Sequence, residues 1–104
     1  MNDVEYQSGE LVFEWDSEKA ALNWQKHKIH FEDATKVFED ENRIDYRDDE
    51  HSDDEERYIT IGKVDKILFV VYTDREDRTR IISARKANKT ERRNYYGHGN
   101  IRFA

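Results

Sequence analysis

The chain has 104 residues, with 18 lysines and arginines against 24 aspartates and glutamates for a formal net charge of −6, and it contains no cysteine and no proline. The lack of cysteine excludes disulfides, thiolate zinc sites and cysteine nucleophiles, and it permits a reducing compartment. No stretch approaches the roughly 18 apolar residues of a membrane span, and the N-terminus lacks the basic and apolar regions of a signal peptide, so the expected location is cytoplasmic and off the membrane.

Apolar residues make up only 36% of the chain and charged residues 40%, yet Leu, Ile, Val, Phe and Trp gather into short blocks, which reads as one small globular domain with a charged surface. Residues 1–10 are polar and read as a flexible segment. LVFEW at 11–15 alternates as a first strand. Asp16 then offers an N-cap, Ser17 and Glu18 suit a first helical turn, and a helix continues toward Lys28. On a helical wheel Ala20, Ala21 and Trp24 form a narrow core-facing stripe, Lys19, Leu22 and Lys26 lie opposite, and His27 sits at the edge near Asn23.

Phe31, Ala34, Val37 and Phe38, at spacings of three and four, predict a second helix over 31–40. Ile44 and Tyr46 mark a short strand that leads into an acidic loop. RYITIG (57–62), KILFVVYTD (66–74) and TRIISARK (79–86) are rich in β-branched residues and read as three strands joined by short hairpins. ILFVVY is apolar at both parities and belongs at the sheet centre. Asn88 and Glu91 have capping-box spacing and open a last helix, which Gly97 is placed to stop. The predicted fold is α+β, in the order β-α-α-β-β-β-β-α, with helices packed on an antiparallel sheet. The domain spans 11–96, and 97–104 form a tail.

The net charge conceals a division. Residues 39–56 carry eleven acids against Arg43 and Arg47, a net −9, whereas 80–96 carry six bases against Glu91, a net +5. A polyanion responds to the patch within a Debye length of about 8 Å, so the local balance matters more than the total. Lys89, Arg92, Arg93 and Tyr96 fall on one face of the last helix. Arginine forks, lysine charges and a stacking tyrosine suit RNA, although the same face could be a solvated one that pairs with the acidic loop. Lys26–His27 joins a group able to exchange a proton near neutral pH to a charge able to stabilise a phosphate transition state. His51 and the carboxylates around it could serve a hard cation, but their spacing matches no EF-hand, and they read as a solvated loop able to compete with RNA for the basic helix.

Several elements then occur in order: W-D-x-x-K-x-x-x-N (Trp15, Asp16, Lys19, Asn23), K-H (Lys26, His27), and F-x-x-A-x-x-V-F (Phe31, Ala34, Val37, Phe38). E-R (Glu56, Arg57) follows, and then I-S-A-R-x-A…E-R-x-x-Y (Ile82, Ser83, Ala84, Arg85, Ala87, Glu91, Arg92, Tyr95). Together they resemble the BrnT family of bacterial type II toxins, over nearly all of 13–96. The resemblance implies a RelE/ParE-like fold, ribonuclease activity that inhibits translation, and neutralisation by a BrnA-type antitoxin in a hetero-oligomer. It also implies operator DNA bound only through the antitoxin. Lys28 stands where the family commonly has glycine, and the 47–56 loop is unusually acidic.

On this basis the expected activity is a metal-independent, cofactor-free endoribonuclease in which the RNA 2′-OH attacks the adjacent phosphate. His27 is the expected acid or base, with Lys26, Arg57, Arg80 and Arg85 as phosphate ligands, while Lys86, Lys89, Arg92, Arg93 and Tyr96 hold flanking RNA. Strand parity parts Arg80 from Arg85 unless the strand bulges, and about 100° of helix parts Lys26 from His27, so one arginine is expected to be structural, tied to Glu56 or Asp16. The alternatives are a non-catalytic RNA- or partner-binding module of the same fold, and a toxin acting on gyrase, as some ParE-type relatives do.

Overall fold

A computed structural model of the chain describes residues 2–52 and 55–101. The elements run β1 (Asp3–Ser8), β2 (Leu11–Asp16), α1 (Ser17–His27), α2 (Phe31–Thr35) with a 3-10 turn (Lys36–Glu39), and β3 (Ile44–Arg47). A second 3-10 turn (Asp49–His51) leads to β4 (Tyr58–Val64), β5 (Lys66–Arg75), β6 (Arg78–Lys86) and α3 (Lys89–Ile101). The strands form one sheet in the order β1-β2-β6-β5-β4-β3. β5 lies inside it, as its two apolar faces require: Leu68, Val70 and Tyr72 face one core, while Ile67, Phe69 and Val71 face the other.

The first core joins Phe13 and Trp15 of β2, those β5 residues, and Ile81 and Ala84 of β6 to Phe31, Ala34 and Val37 of α2 and its 3-10 extension. The second, on the opposite face, joins Ile59, Ile61 and Ile67 to Ala87 and Tyr95 at α3. Tyr95 also reaches round the sheet to donate its hydroxyl to Asp40, which accepts the Lys63 amide as well.

The α+β class holds, with four differences from the predicted pattern. Residues 3–8 are a strand and not a loose segment; Val4 and Tyr6 alternate inward and pack on the first core, which draws a polar segment into antiparallel pairing with β2. The sheet is mixed, because β2 and β6 run parallel at Phe13–Thr79 and Glu14–Arg80, a pairing between segments too distant in sequence for any hairpin to set. The second helix gives way to a 3-10 turn at Lys36, where Val37 comes so close to Gly62 that a Cβ there would lie 2.6 Å from Val37 Cγ1. Gly97 does not stop α3, which continues to Ile101, and residues 102–104 of the expected tail lie outside the described residues.

Helix α1 is capped as expected, with the Asp16 carboxylate accepting the Glu18 amide at 2.9 Å. Its buried stripe is different. Asn23 is buried and Ala20 half-buried, whereas Trp24 is 40% exposed and stacks on His30. Lys28 ends the helix in the left-handed conformation, φ 59°, with its amide donating to the Trp24 carbonyl at 2.8 Å. That is the conformation a glycine takes most cheaply.

Candidate active site

Two local features of β6 shape the site. The first is a bulge: Tyr72 pairs with Ile81 and Val71 with Ser83, which leaves Ile82 unpaired. Ile81 and Ala84 therefore both face the first core, and alternation on either side of the bulge puts Arg80, Ser83 and Arg85 on the opposite face. The second is a free edge. β2 pairs with β6 only as far as Glu14–Arg80, and α1 covers the strand beyond. The Asn23 amide closes that edge like a strand: it donates to the Ala84 carbonyl at 2.8 Å and accepts the Ala84 amide at 3.1 Å. It also donates to the Ile29 carbonyl at 3.0 Å.

This attachment sets the last turn of α1 beside the bulge. Lys19, Lys26 and His27 line a hollow of about 200 Å³ that is floored by Ile82 and Ser83. The 100° between Lys26 and His27 does not keep them apart, because both line this one hollow. Burial of the imidazole, aided by the positive charges of Lys26 and Arg85, holds the His27 pKa below its ordinary 6.5. Ile82 and Ser83 also wall a second hollow, of about 400 Å³, on the sheet face between the bulge and the turn after β3. Arg57 enters it from the start of β4, Arg85 from β6, and Asp48, Glu50 and His51 from the turn. Phe69 and Val71 of β5 form its apolar base.

The cations here differ in freedom. Arg85 is clamped through both terminal nitrogens by Glu91, at 2.8 and 2.9 Å, and lies over the Phe69 ring at 3.9 Å. The Glu91 bond raises its pKa despite burial. Glu91 in turn accepts the Asn88 amide and returns its own to the Asn88 side chain, so the expected capping box fixes the arginine. Arg57 makes no ion pair among the described residues, and its backbone is held by Ser52 and Asp48.

Arg80 does not join them. It is ion-paired with Glu14 at 2.7 Å and Asp3 at 3.1 Å, not with Glu56 or Asp16. These bonds became possible only because β1 and β2 lie alongside. The Asp3 bond leads the effects that raise the Arg80 pKa, and Glu14 adds to it.

The expected RNA-holding residues divide as well. Lys86, Arg92 and Tyr96 line a hollow of about 310 Å³ at the end of the sheet, which Lys63 and Lys66 also enter. The Lys66 ammonium beside Lys86 depresses the Lys86 pKa. Lys89 and Arg93 stand exposed on α3, outside that hollow.

Lys19, His51 and Ser83 also line these hollows, and Asn23 anchors α1 beside them, although none of the four is among the site residues expected from the sequence. Its place in the W-D-x-x-K-x-x-x-N pattern was the available signal for Asn23. Nothing in the sequence could bring His51 to Arg85, because they meet only across three strands.

The crystal structure of the Brucella abortus ribonuclease toxin, BrnT, matches with a TM-score of 0.57 at 23% identity, covering 72% of this chain and 94% of that one. At this identity the likeness speaks for the fold. A comparison with curated protein sequences gives no match. The family described as ribonuclease toxin, BrnT, of type II toxin–antitoxin system matches residues 15–91, which contain α1, the bulged strand and the Arg85–Glu91 clamp. The chain belongs to the BrnT family of ribonuclease toxins of type II toxin–antitoxin systems.

Proposed function

We propose that this chain is a metal-independent, cofactor-free endoribonuclease that cuts RNA by 2′-OH attack at the Ile82–Ser83 cleft, and so inhibits translation in the cytoplasm. The observation that carries this reading is that the hollow of His27 and Lys26 and the hollow of Arg57 and Arg85 share Ile82 and Ser83 of the bulged strand. With its pKa below the ordinary value, His27 is neutral at physiological pH and able to take the 2′ proton. Lys26 and Arg57 stabilise the charge that builds on the non-bridging oxygens. Arg85 is pre-oriented by Glu91 and Phe69, and it meets phosphate edge-on.

Arg80 has no part in this chemistry. Lys86, Arg92 and Tyr96 hold flanking RNA in the end hollow, helped by Lys63 and Lys66, while Lys89 and Arg93 add a more distant field. A BrnA-type antitoxin neutralises the toxin in a hetero-oligomer and alone carries the contact to operator DNA. The fold itself we read as RelE/ParE-like.

Purified protein incubated with RNA in excess EDTA tests the reading. The expected result is cleavage by wild type and, for folded His27→Ala, a loss of about 100-fold or more. Intact RNA at high protein concentration, or a His27→Ala variant indistinguishable from wild type, would leave a non-catalytic binding module as the better account.

A further inference from the structure

We propose that His51 is the second proton-transfer group of this site, the general acid that protonates the leaving 5′ oxygen while His27 accepts the 2′ proton. The proposal rests on the ribonuclease reading above. In the transfer the 2′ oxygen forms a bond to phosphorus, the phosphorus–O5′ bond breaks, and a 2′,3′-cyclic phosphate and a 5′-hydroxyl result. One proton passes from the 2′-OH to His27 and one from His51 to O5′, so no water or metal enters the balance.

An in-line displacement places the attacking and leaving oxygens on opposite sides of phosphorus, and one group on one side cannot serve both at once. His27 reaches the cleft from α1, along the free edge of β6. His51 reaches it from the turn between β3 and β4, beyond β5, in the hollow that holds Arg57 and Arg85. The two histidines thus approach from opposite sides of the strip of sheet formed by Phe69 and Val71 of β5 and Ser83 of β6.

The two imidazoles also have different neighbours. His27 has Lys26 and Arg85 for neighbours. His51 has a carboxylate: the Asp48 oxygens lie 3.0 and 3.2 Å from Nδ1, which engages that nitrogen and leaves Nε2 for substrate. Asp48 is itself anchored, because its amide donates to the Arg57 carbonyl at 2.8 Å and its carbonyl accepts the Ser52 hydroxyl at 2.6 Å. The turn that carries His51 is thereby tied to the strand that carries Arg57.

The test compares ordinary RNA with a substrate in which sulfur replaces the bridging 5′ oxygen at the bond wild type cuts; a thiolate leaves without a proton. His51→Ala is expected to lose about 100-fold or more on ordinary RNA and to return to within a few-fold of wild type on the sulfur substrate. His27→Ala stays slow on both. Asp48→Asn, which keeps a hydrogen-bond partner for the ring, shows a smaller loss of the same pattern, and circular dichroism confirms that each variant folds. The assignment is overturned by a His51→Ala variant that cuts ordinary RNA at the wild-type rate, or one equally slow on both substrates. Wild-type protein that leaves both substrates intact would overturn the ribonuclease reading, and this proposal with it.

Discussion

Replacing Asn23 by Ala removes three hydrogen bonds from one buried side chain: two with Ala84 on the open edge of β6 and one with the Ile29 carbonyl. Each ordinary bond is worth about 1 kcal/mol, and a buried backbone group left without a partner costs about 1–3 kcal/mol. The Ala84 amide and carbonyl lose their partner together, so the expected destabilisation is about 3–4 kcal/mol. That is a large part of the roughly 5–15 kcal/mol that holds a domain of this size folded. Urea unfolding followed by circular dichroism measures it. Asn23→Asp is no rescue, because it keeps the acceptor for the Ala84 amide but sets a carboxylate against two carbonyls. His27 lies on the turn this side chain anchors, so cleavage by the protein that remains folded is expected to fall about 10-fold or more, as a small misplacement of a catalytic group commonly produces. A variant within 1 kcal/mol of wild type and fully active would refute the argument that Asn23 positions α1.

Other substitutions separate structural from chemical roles. Arg80→Met is expected to cost about 1–2 kcal/mol in urea, since Glu14 keeps Arg78 at 3.5 Å and Arg75 at 3.9 Å, while the folded protein cleaves RNA normally. An Arg80→Met variant that is folded yet as inactive as Arg57→Met would restore Arg80 to the site. Gly62→Ala forces a methyl against Val37 Cγ1 and within 3.1 Å of Arg43 Cβ, and it should lower stability by about 1–3 kcal/mol, readable as a lower melting temperature. The depressed His27 pKa makes protonation less favourable in the folded than in the unfolded chain, so this group lowers stability as pH falls below 6.5 and costs nothing above it. The acidic limb of the kcat/KM profile is likewise expected below pH 6.5; a limb above that value would contradict the surroundings described for His27.

Local signals were the legible part of this fold. Asp16 caps α1, Asn88 and Glu91 form the capping box, and the three long strands follow their β-branched runs because each depends on neighbours a few residues away. The strand at 3–8 was hidden because only Val4 and Tyr6 signal it, and its pairing with β2 decides the matter. The bulge at Ile82 left no mark that periodicity could read, yet it reverses the parity that separated Arg80 from Arg85. Long-range contact then undid the consequence, since Glu14 and Asp3 claim Arg80. The α1 wheel failed because apolar content stood in for burial: Asn23 is inside to satisfy a strand edge, and Trp24 is outside against His30. The acidic turn suggested solvent or a cation, whereas its Ser52 and Asp48 bonds join it to Arg57 and carry His51 to the cleft.

The claim that the Ile82–Ser83 cleft works by 2′-OH attack is tested most directly by an RNA oligonucleotide carrying a single 2′-deoxynucleotide immediately 5′ of the mapped cut. The account predicts that ordinary RNA yields 2′,3′-cyclic phosphate and 5′-hydroxyl ends, and that the substituted strand stays intact at that bond. Cutting of the substituted strand at the wild-type rate, or products with 3′-hydroxyl and 5′-phosphate ends, would contradict it.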